Sequence, residues 1–236
     1  NFLNLNKCTL KKKPILKKIK LPINHWIYNE FIKTQLLVTK SLETFRFDEA
    51  ARHIYKFVWH FYCDWYLEFL KPLFNSKNKS EVEEAKNFSS FMLANILKML
   101  HPFIPFFTES VWIKNKFNDF FKSYLVLSEW PEYKVEKRFN KNQDNINNLI
   151  ELISNIRSTK VELNIAPKLY CDLVILDKSK KLKTLIDQNI NLIKQVGRVN
   201  SLFNKKNDKA NTIEIIVLKE KLGLKFNENV DIKSQR

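Results

Sequence analysis

The sequence predicts a mainly α protein: an antiparallel helical bundle followed by a small α/β module. Three observations carry this expectation. Between Ile23 and Phe117, four segments with apolar residues at helical spacing follow one another across short breaks, the pattern of antiparallel neighbours in a bundle. Beyond about residue 140, helix-period runs alternate with short apolar stretches of strand type. The 236 residues are 44% hydrophobic and 13% aromatic, which excludes a disordered chain. A chain of this length buries roughly 70–75% of its unfolded surface.

The expected boundaries are 1–22, a basic linker or the end of a preceding domain; 23–140, the bundle; and 141–236, the α/β module. Lys7, Lys11, Lys12, Lys13, Lys17, Lys18 and Lys20 crowd the first stretch without an acid, and Pro14 and Pro22 interrupt it. It reads as extended or loosely ordered chain. From Ile23, the residues Ile27, Phe31, Val38, Leu42 and Phe45 fall on one helix face. Phe45-Arg46-Phe47 breaks the run, and Asp48 is placed to cap a second helix. That helix is expected from Glu49 to about Leu70, ended by Pro72. Ala51, Ile54, Tyr55, Val58, Tyr62, Trp65 and Phe69 form its inward stripe, which Trp59, Phe61 and Tyr66 widen.

Ser80 and Glu83 have the spacing of a capping box for a third helix, whose stripe includes Val82, Phe88, Met92, Ile96 and Met99. His101-Pro102 closes it. Pro105 opens a fourth helix with Val111, Trp112 and Phe117 inward. Leu125-Val126-Leu127 reads as a short extended piece before Trp130-Pro131. In the second region the expected order is a helix over about 143–161, a strand over 169–176, a helix over 180–196 and a strand over 212–218.

The chemistry of the composition is narrow. Gly197 and Gly223 are the only glycines, so glycine-rich phosphate-cradling loops are absent. No apolar run reaches the roughly 20 residues of a membrane-spanning helix. Cys8, Cys63 and Cys171 are odd in number and never share a C-x-x-C motif. They predict neither a disulfide framework nor a zinc site, and a chain in the cytoplasm with reduced thiols. His25, His53, His60 and His101 make no metal-ligand pattern, and no nucleophile motif occurs. The chain is therefore expected to hold no catalytic site, no metal and no cofactor of its own. It begins at Asn1 rather than Met, and is expected to be a piece of a longer protein.

The net charge of +16 is spread over both regions: 23 basic against 14 acidic residues up to Asn140, and 18 against 11 after it. A polyanion is the natural partner of such an excess, although only six of the cations are arginine and a lysine-rich coding bias would produce the same number. Within the bundle, Lys33, Lys40, Arg46, Arg52, Lys56 and Lys71 punctuate two aromatic-rich helices. Cations beside aromatic faces are what RNA surfaces use to neutralise phosphate and stack unpaired bases. Trp59, Trp65 and Tyr66 are read as core, whereas Phe47, beside Arg46 at a helix joint, is a candidate for stacking on a base.

Several runs carry a family resemblance. Phe45-Arg46-Phe47-Asp48-Glu49-Ala50-Ala51, Ile54-Tyr55-Lys56-Phe57, Trp59, Cys63-Asp64-Trp65-Tyr66-Leu67-Glu68 and Lys71-Pro72 closely resemble the anticodon-binding helical domain of the valyl-tRNA synthetase family. His101-Pro102-Phe103-Ile104-Pro105-Phe106 with Thr108-Glu109 and Trp112, then Ser128-Glu129-Trp130-Pro131, then Ile156-Arg157 with Pro167, match in the same order. The first of these three is shared by other class I synthetases, and the Cys-Asp-Trp-Tyr-Leu-Glu run is the part that points to valine.

The resemblance implies a module that grips the anticodon stem and loop of valine-specific tRNA, in an enzyme that joins valine to tRNA with ATP and magnesium. The His-x-Gly-His and Lys-Met-Ser-Lys-Ser catalytic motifs are not in this sequence, so ATP, magnesium and editing chemistry are expected in domains outside it. A coiled-coil arm is expected after Arg236. The candidate tRNA-binding residues are Lys40, Arg46, Phe47, Arg52, Lys56 and Lys71. Asp64 is expected to be a buried hydrogen-bonding carboxylate and Trp65 a core indole. The chain is expected to act as a monomer away from membranes. Two alternatives stand beside this reading: the same module of an isoleucine enzyme, and a free-standing basic helical RNA-binding protein.

Overall fold

A computed structural model describes residues 2–176, 180–204 and 212–226. The chain divides into two compact units, Asn1–Gln143 and Asp144–Arg236.

The first unit is all helical. After a four-residue turn of helix, α1 (Phe2–Leu5), comes α2 (Pro22–Glu43), opened by Pro22 in its first turn, where a missing N–H costs nothing. Next are α3 (Phe47–Lys56), a π-helical stretch (Phe57–Tyr66) and α4 (Leu67–Phe74), which run on without a break. Then follow α5 (Lys79–Leu100), α6 (Pro105–Lys114) and the short α7 (Phe117–Phe121). Trp26, Ile27, Phe31, Phe57, Tyr66, Phe69, Phe88 and Met92 fill the core between these helices. Tyr28, Phe31 and Phe91 pack against Tyr133 with ring centroids 5.6–6.4 Å apart, and so hold the segment that leaves the bundle.

The lysine-rich start departs from the expected loose chain. Leu3, Cys8, Leu10, Ile19 and Leu21 are buried. The amides of Lys11 and Lys12 donate to Asn87 Oδ1, and those of Lys20 and Leu21 to the Glu84 carboxylate. Its apolar residues at every few positions lay it along α5, while the lysines between them stay in water.

Four local expectations are corrected. Pro72 lies inside α4 rather than ending it, and the chain continues to Phe74. The cap of α5 is Asn78, whose Oδ1 accepts the Ser80 amide at 3.2 Å, so Ser80 falls in the first turn. The second helix begins at Phe47 with Arg46 at the cap position, and Asp48 sits within the first turn. Leu125–Leu127 is a 3-10 turn, because the Glu109 carboxylate takes the amides of Leu125 and Val126 at 3.0 and 3.1 Å.

The second unit carries α8 (Gln143–Glu162), β1 (Cys171–Ile175), α9 (Lys180–Val196), β2 (Val199–Asn204), β3 (Thr212–Val217) and β4 (Glu220–Lys225). Its sheet has the order β2-β1-β4-β3, with β1 parallel to β2 and antiparallel to β4. The internal strand β1 buries Cys171, Leu173 and Val174, with Asp172 the one charged residue among them. Lys160 is buried in this unit; its Nζ donates to the Leu169 carbonyl at 2.8 Å, and burial pulls its pKa below the ordinary lysine value. The mainly α fold with a small α/β module is as the sequence predicts.

Candidate nucleic-acid interface

The joint between α2 and α3 is built by a C-terminal cap. The Arg46 amide donates to the Ser41 carbonyl at 2.7 Å and the Phe45 amide to the Leu42 carbonyl at 3.1 Å, the paired bonds of a Schellman motif. Phe45 takes the left-handed position, with φ 57°. Glycine normally sits there, and a bulky residue in that conformation costs about 1–2 kcal/mol. Its ring gains no burial in exchange, being 79% exposed. It stands edge-to-face with Phe47, 6.4 Å between centroids.

Arg46 projects from this joint. Its Nη2 reaches Glu49 Oε1 at 2.6 Å and its Nε lies 3.7 Å from Asp48 Oδ1, while Arg52 Nη2 is 3.6 Å from Asp48 Oδ2. These pairs are solvent-exposed and add little stability. Their effect is to orient two guanidinium groups on one side of α3. Lys40, in the last turn of α2, belongs to the same joint, since its carbonyl accepts the Thr44 amide. Among the described residues no carboxylate pairs with Lys40 or Lys56.

The structure thus brings Lys40, Arg46 and Phe47 together at the joint and sets Arg52 and Lys56 on the exposed face of α3. It does not bring Lys71 to them. That residue lies fifteen positions beyond Lys56 on the continuous helix, roughly 22 Å of rise, and is paired with Glu68.

Burial along this helix also departs from the expected stripe. Ala51, Tyr55 and Trp59 are exposed and Phe45 points outward, whereas Phe57, outside the stripe, is fully buried. The inward positions are Ala50, Ile54, Phe57, Tyr62, Tyr66 and Phe69. The step of five between Phe57 and Tyr62 falls in the π-helical stretch, whose i→i+5 bonds widen the turn. A constant helical period cannot follow such a shift. Asp64 is exposed rather than buried, with Oδ2 3.5 Å from His60 Nδ1, and Trp65 is half-buried.

The runs around the next turn are structural. His101 Nδ1 lies 2.9 Å from Thr108 Oγ1, and the Trp112 indole donates to the Ser123 carbonyl at 3.1 Å. The Trp130 indole donates to Thr39 Oγ1 at 2.9 Å. Among the described residues, no group of three or more His, Cys, Asp or Glu side chains could hold a metal ion, and no helix is long and apolar enough to cross a membrane.

Residues 24–175 match the family model of the anticodon-binding domain of tRNA ligase. The chain belongs to this family. As an anticodon-binding domain it is similar over 99% of its length, at 39% identity, to the valine–tRNA ligase of Pelagibacter ubique. It is 33% identical to that of Agrobacterium fabrum over 92% of its length, and 37% identical to that of Brucella suis over 76%. The domain covers 26%, 23% and 20% of those three proteins, so it spans about a quarter of the relatives it matches.

Proposed function

We propose that this chain is the tRNA-binding part of a valine–tRNA ligase and grips the anticodon stem and loop. The observation that carries the reading is the joint at Phe45-Arg46-Phe47. Two exposed rings and an oriented guanidinium are held there by a backbone conformation that is costly for phenylalanine. Strained, exposed groups of this kind suit a binding surface better than a packing role. The family match and the similarity to valine–tRNA ligases supply the partner.

In this reading Phe47 stacks on a loop base, Arg46 and Arg52 hydrogen-bond to base edge or phosphate, and Lys40 and Lys56 neutralise phosphate. Lys71 meets the RNA backbone at a separate point. The longer enzyme joins valine to tRNA in the cytoplasm, and its ATP and magnesium are handled by a catalytic domain outside this chain. The chain itself acts as a monomer and brings no cofactor.

The test is tRNA binding by the purified chain at one fixed salt concentration, comparing valine tRNA with the same transcript carrying a changed anticodon. A preference for the valine anticodon supports the reading. Equal binding to both removes the anticodon from it and leaves a polyanion surface.

A further inference from the structure

Tyr55 and Trp59 form an aromatic pair that the bundle does not use. Their ring planes are 5° apart with centroids 6.2 Å from each other, and the two residues are 62% and 54% exposed. Among the described residues neither the Tyr55 hydroxyl nor the Trp59 indole N–H has a hydrogen-bond partner in the protein. Aromatic side chains of this size are the largest contributors to burial, and the same helix buries Phe57, Tyr62 and Tyr66. The exposed pair therefore leaves a large apolar area facing water.

The surroundings define what fits. Arg52 precedes Tyr55 by three residues and Lys56 follows it by one, both exposed. The nearest acids on this face, Asp48 and Asp64, are engaged with Arg46, Arg52 and His60. Two parallel rings continue as a stack only with a third flat π-system, and the adjacent cations require that it carry negative charge beside it. A nucleobase with its phosphate meets both demands. An apolar protein segment would leave Lys56, which pairs with no carboxylate among the described residues, unmatched.

We propose that Tyr55 and Trp59 are a stacking platform for an unpaired base of the bound tRNA, with Arg52 and Lys56 on the adjoining phosphates. The proposal rests on the RNA-binding reading above and extends the contact surface from the α2–α3 joint along the helix. Sequence periodicity hid this pair, because an i, i+4 aromatic spacing reads as core.

The experiment measures affinity of the 236-residue chain for the valine tRNA transcript at fixed salt, for the unmodified chain and for Trp59→Ala, Trp59→Phe and Tyr55→Ala. Because both residues are exposed, thermal unfolding should coincide among the variants. Trp59→Ala is expected to weaken binding roughly 5- to 150-fold, the value of one stacked base, with the salt dependence unchanged. Trp59→Phe should keep most of the affinity. Lys56→Ala should instead reduce the slope of log affinity against log salt by about one. If the unmodified chain binds tRNA and Trp59→Ala binds equally well, the platform is overturned and this face is left to a protein partner. If the unmodified chain does not bind tRNA, the RNA-binding reading itself fails.

Discussion

The Tyr66 hydroxyl donates to Asn24 Oδ1 at 2.8 Å, and both residues are fully buried. Asn24 Nδ2 in turn donates to Glu84 Oε1 at 3.0 Å, the same oxygen that accepts the Leu21 amide at 2.8 Å. One chain of bonds therefore ties the π-helical stretch, α2, α5 and the lysine-rich start together. Tyr66→Phe keeps the ring and removes the donor, leaving Asn24 Oδ1 buried without a partner. The expected loss is about 1–3 kcal/mol of first-unit stability, read from the urea midpoint, with tRNA affinity unchanged. A midpoint equal to that of the unmodified chain would show that the bond contributes nothing net.

The His25 imidazole is stacked on Phe139 at 4.0 Å, with Nε2 2.9 Å from the Ile19 carbonyl and Nδ1 2.7 Å from Asn142 Nδ2. These partners assign the neutral tautomer, Nε2–H donating and Nδ1 accepting. Burial lowers the pKa below the ordinary value near 6.5, and Arg138 adds to the effect. Below that pH the unfolded chain binds the proton and the folded chain resists it. Stability is thus fully present above about pH 6.5 and is lost as the pH falls toward the lowered folded value. His25→Gln removes this titration. The stability difference between the unmodified chain and the variant should shrink from pH 7 to pH 5, and parallel curves would refute the assignment.

Gly197 follows the last turn of α9 with no room for a side chain. A Cβ there would lie 2.6 Å from the Ile193 carbonyl oxygen, which is backbone and cannot step aside. Gly197→Ala should cost the second unit about 1–3 kcal/mol, measured as a lower midpoint for that unit's unfolding. Gly223→Ala is the contrast. Its Cβ meets first the Thr212 methyl, a side-chain group that can rotate, and then Val174 Cβ at 3.3 Å, so the cost should be smaller than against a backbone carbonyl at 2.6 Å. Equal losses would mean that space, not backbone rigidity, sets the penalty.

Gly223 also shows where the sequence could not be read. It lies in β4, opposite Val174 on one side and Glu214 on the other. A glycine in a short strand that has only Leu222 and Leu224 as apolar residues, with Lys221 and Lys225 beyond them, weakens the strand signal, and β2, with Asn200, Ser201 and Asn204, is as polar as a loop. Both strands form because β1 and β3 offer them ladders, which is tertiary information. By contrast the bounds of α9 are legible from the helical spacing of Leu182, Leu185, Ile186 and Ile193, although the kink at Asn189, with φ −121° and ψ 19°, is not. The candidate interface divides in the same way. Its cations and Phe47 stand out by residue type, but Ala50, Ile54 and Phe57 take the inward positions and leave Tyr55 and Trp59 exposed, although their i, i+4 aromatic spacing reads as core.

Arg46 is the residue on which the functional reading can be tested most directly. Its guanidinium sits at the joint between the paired carboxylates of Asp48 and Glu49, so little orientation is left to lose when RNA arrives. Arg46→Ala should weaken tRNA binding by about 1–3 kcal/mol at fixed salt if the group reads a base edge. Lys40→Ala, which removes a point charge, should act through the salt dependence, lowering its slope by about one. The two variants separate reading from steering. A loss in Arg46→Ala confined to the valine anticodon marks a base contact, and an equal loss on both transcripts marks a phosphate contact. No change in either would move the anticodon away from the α2–α3 joint.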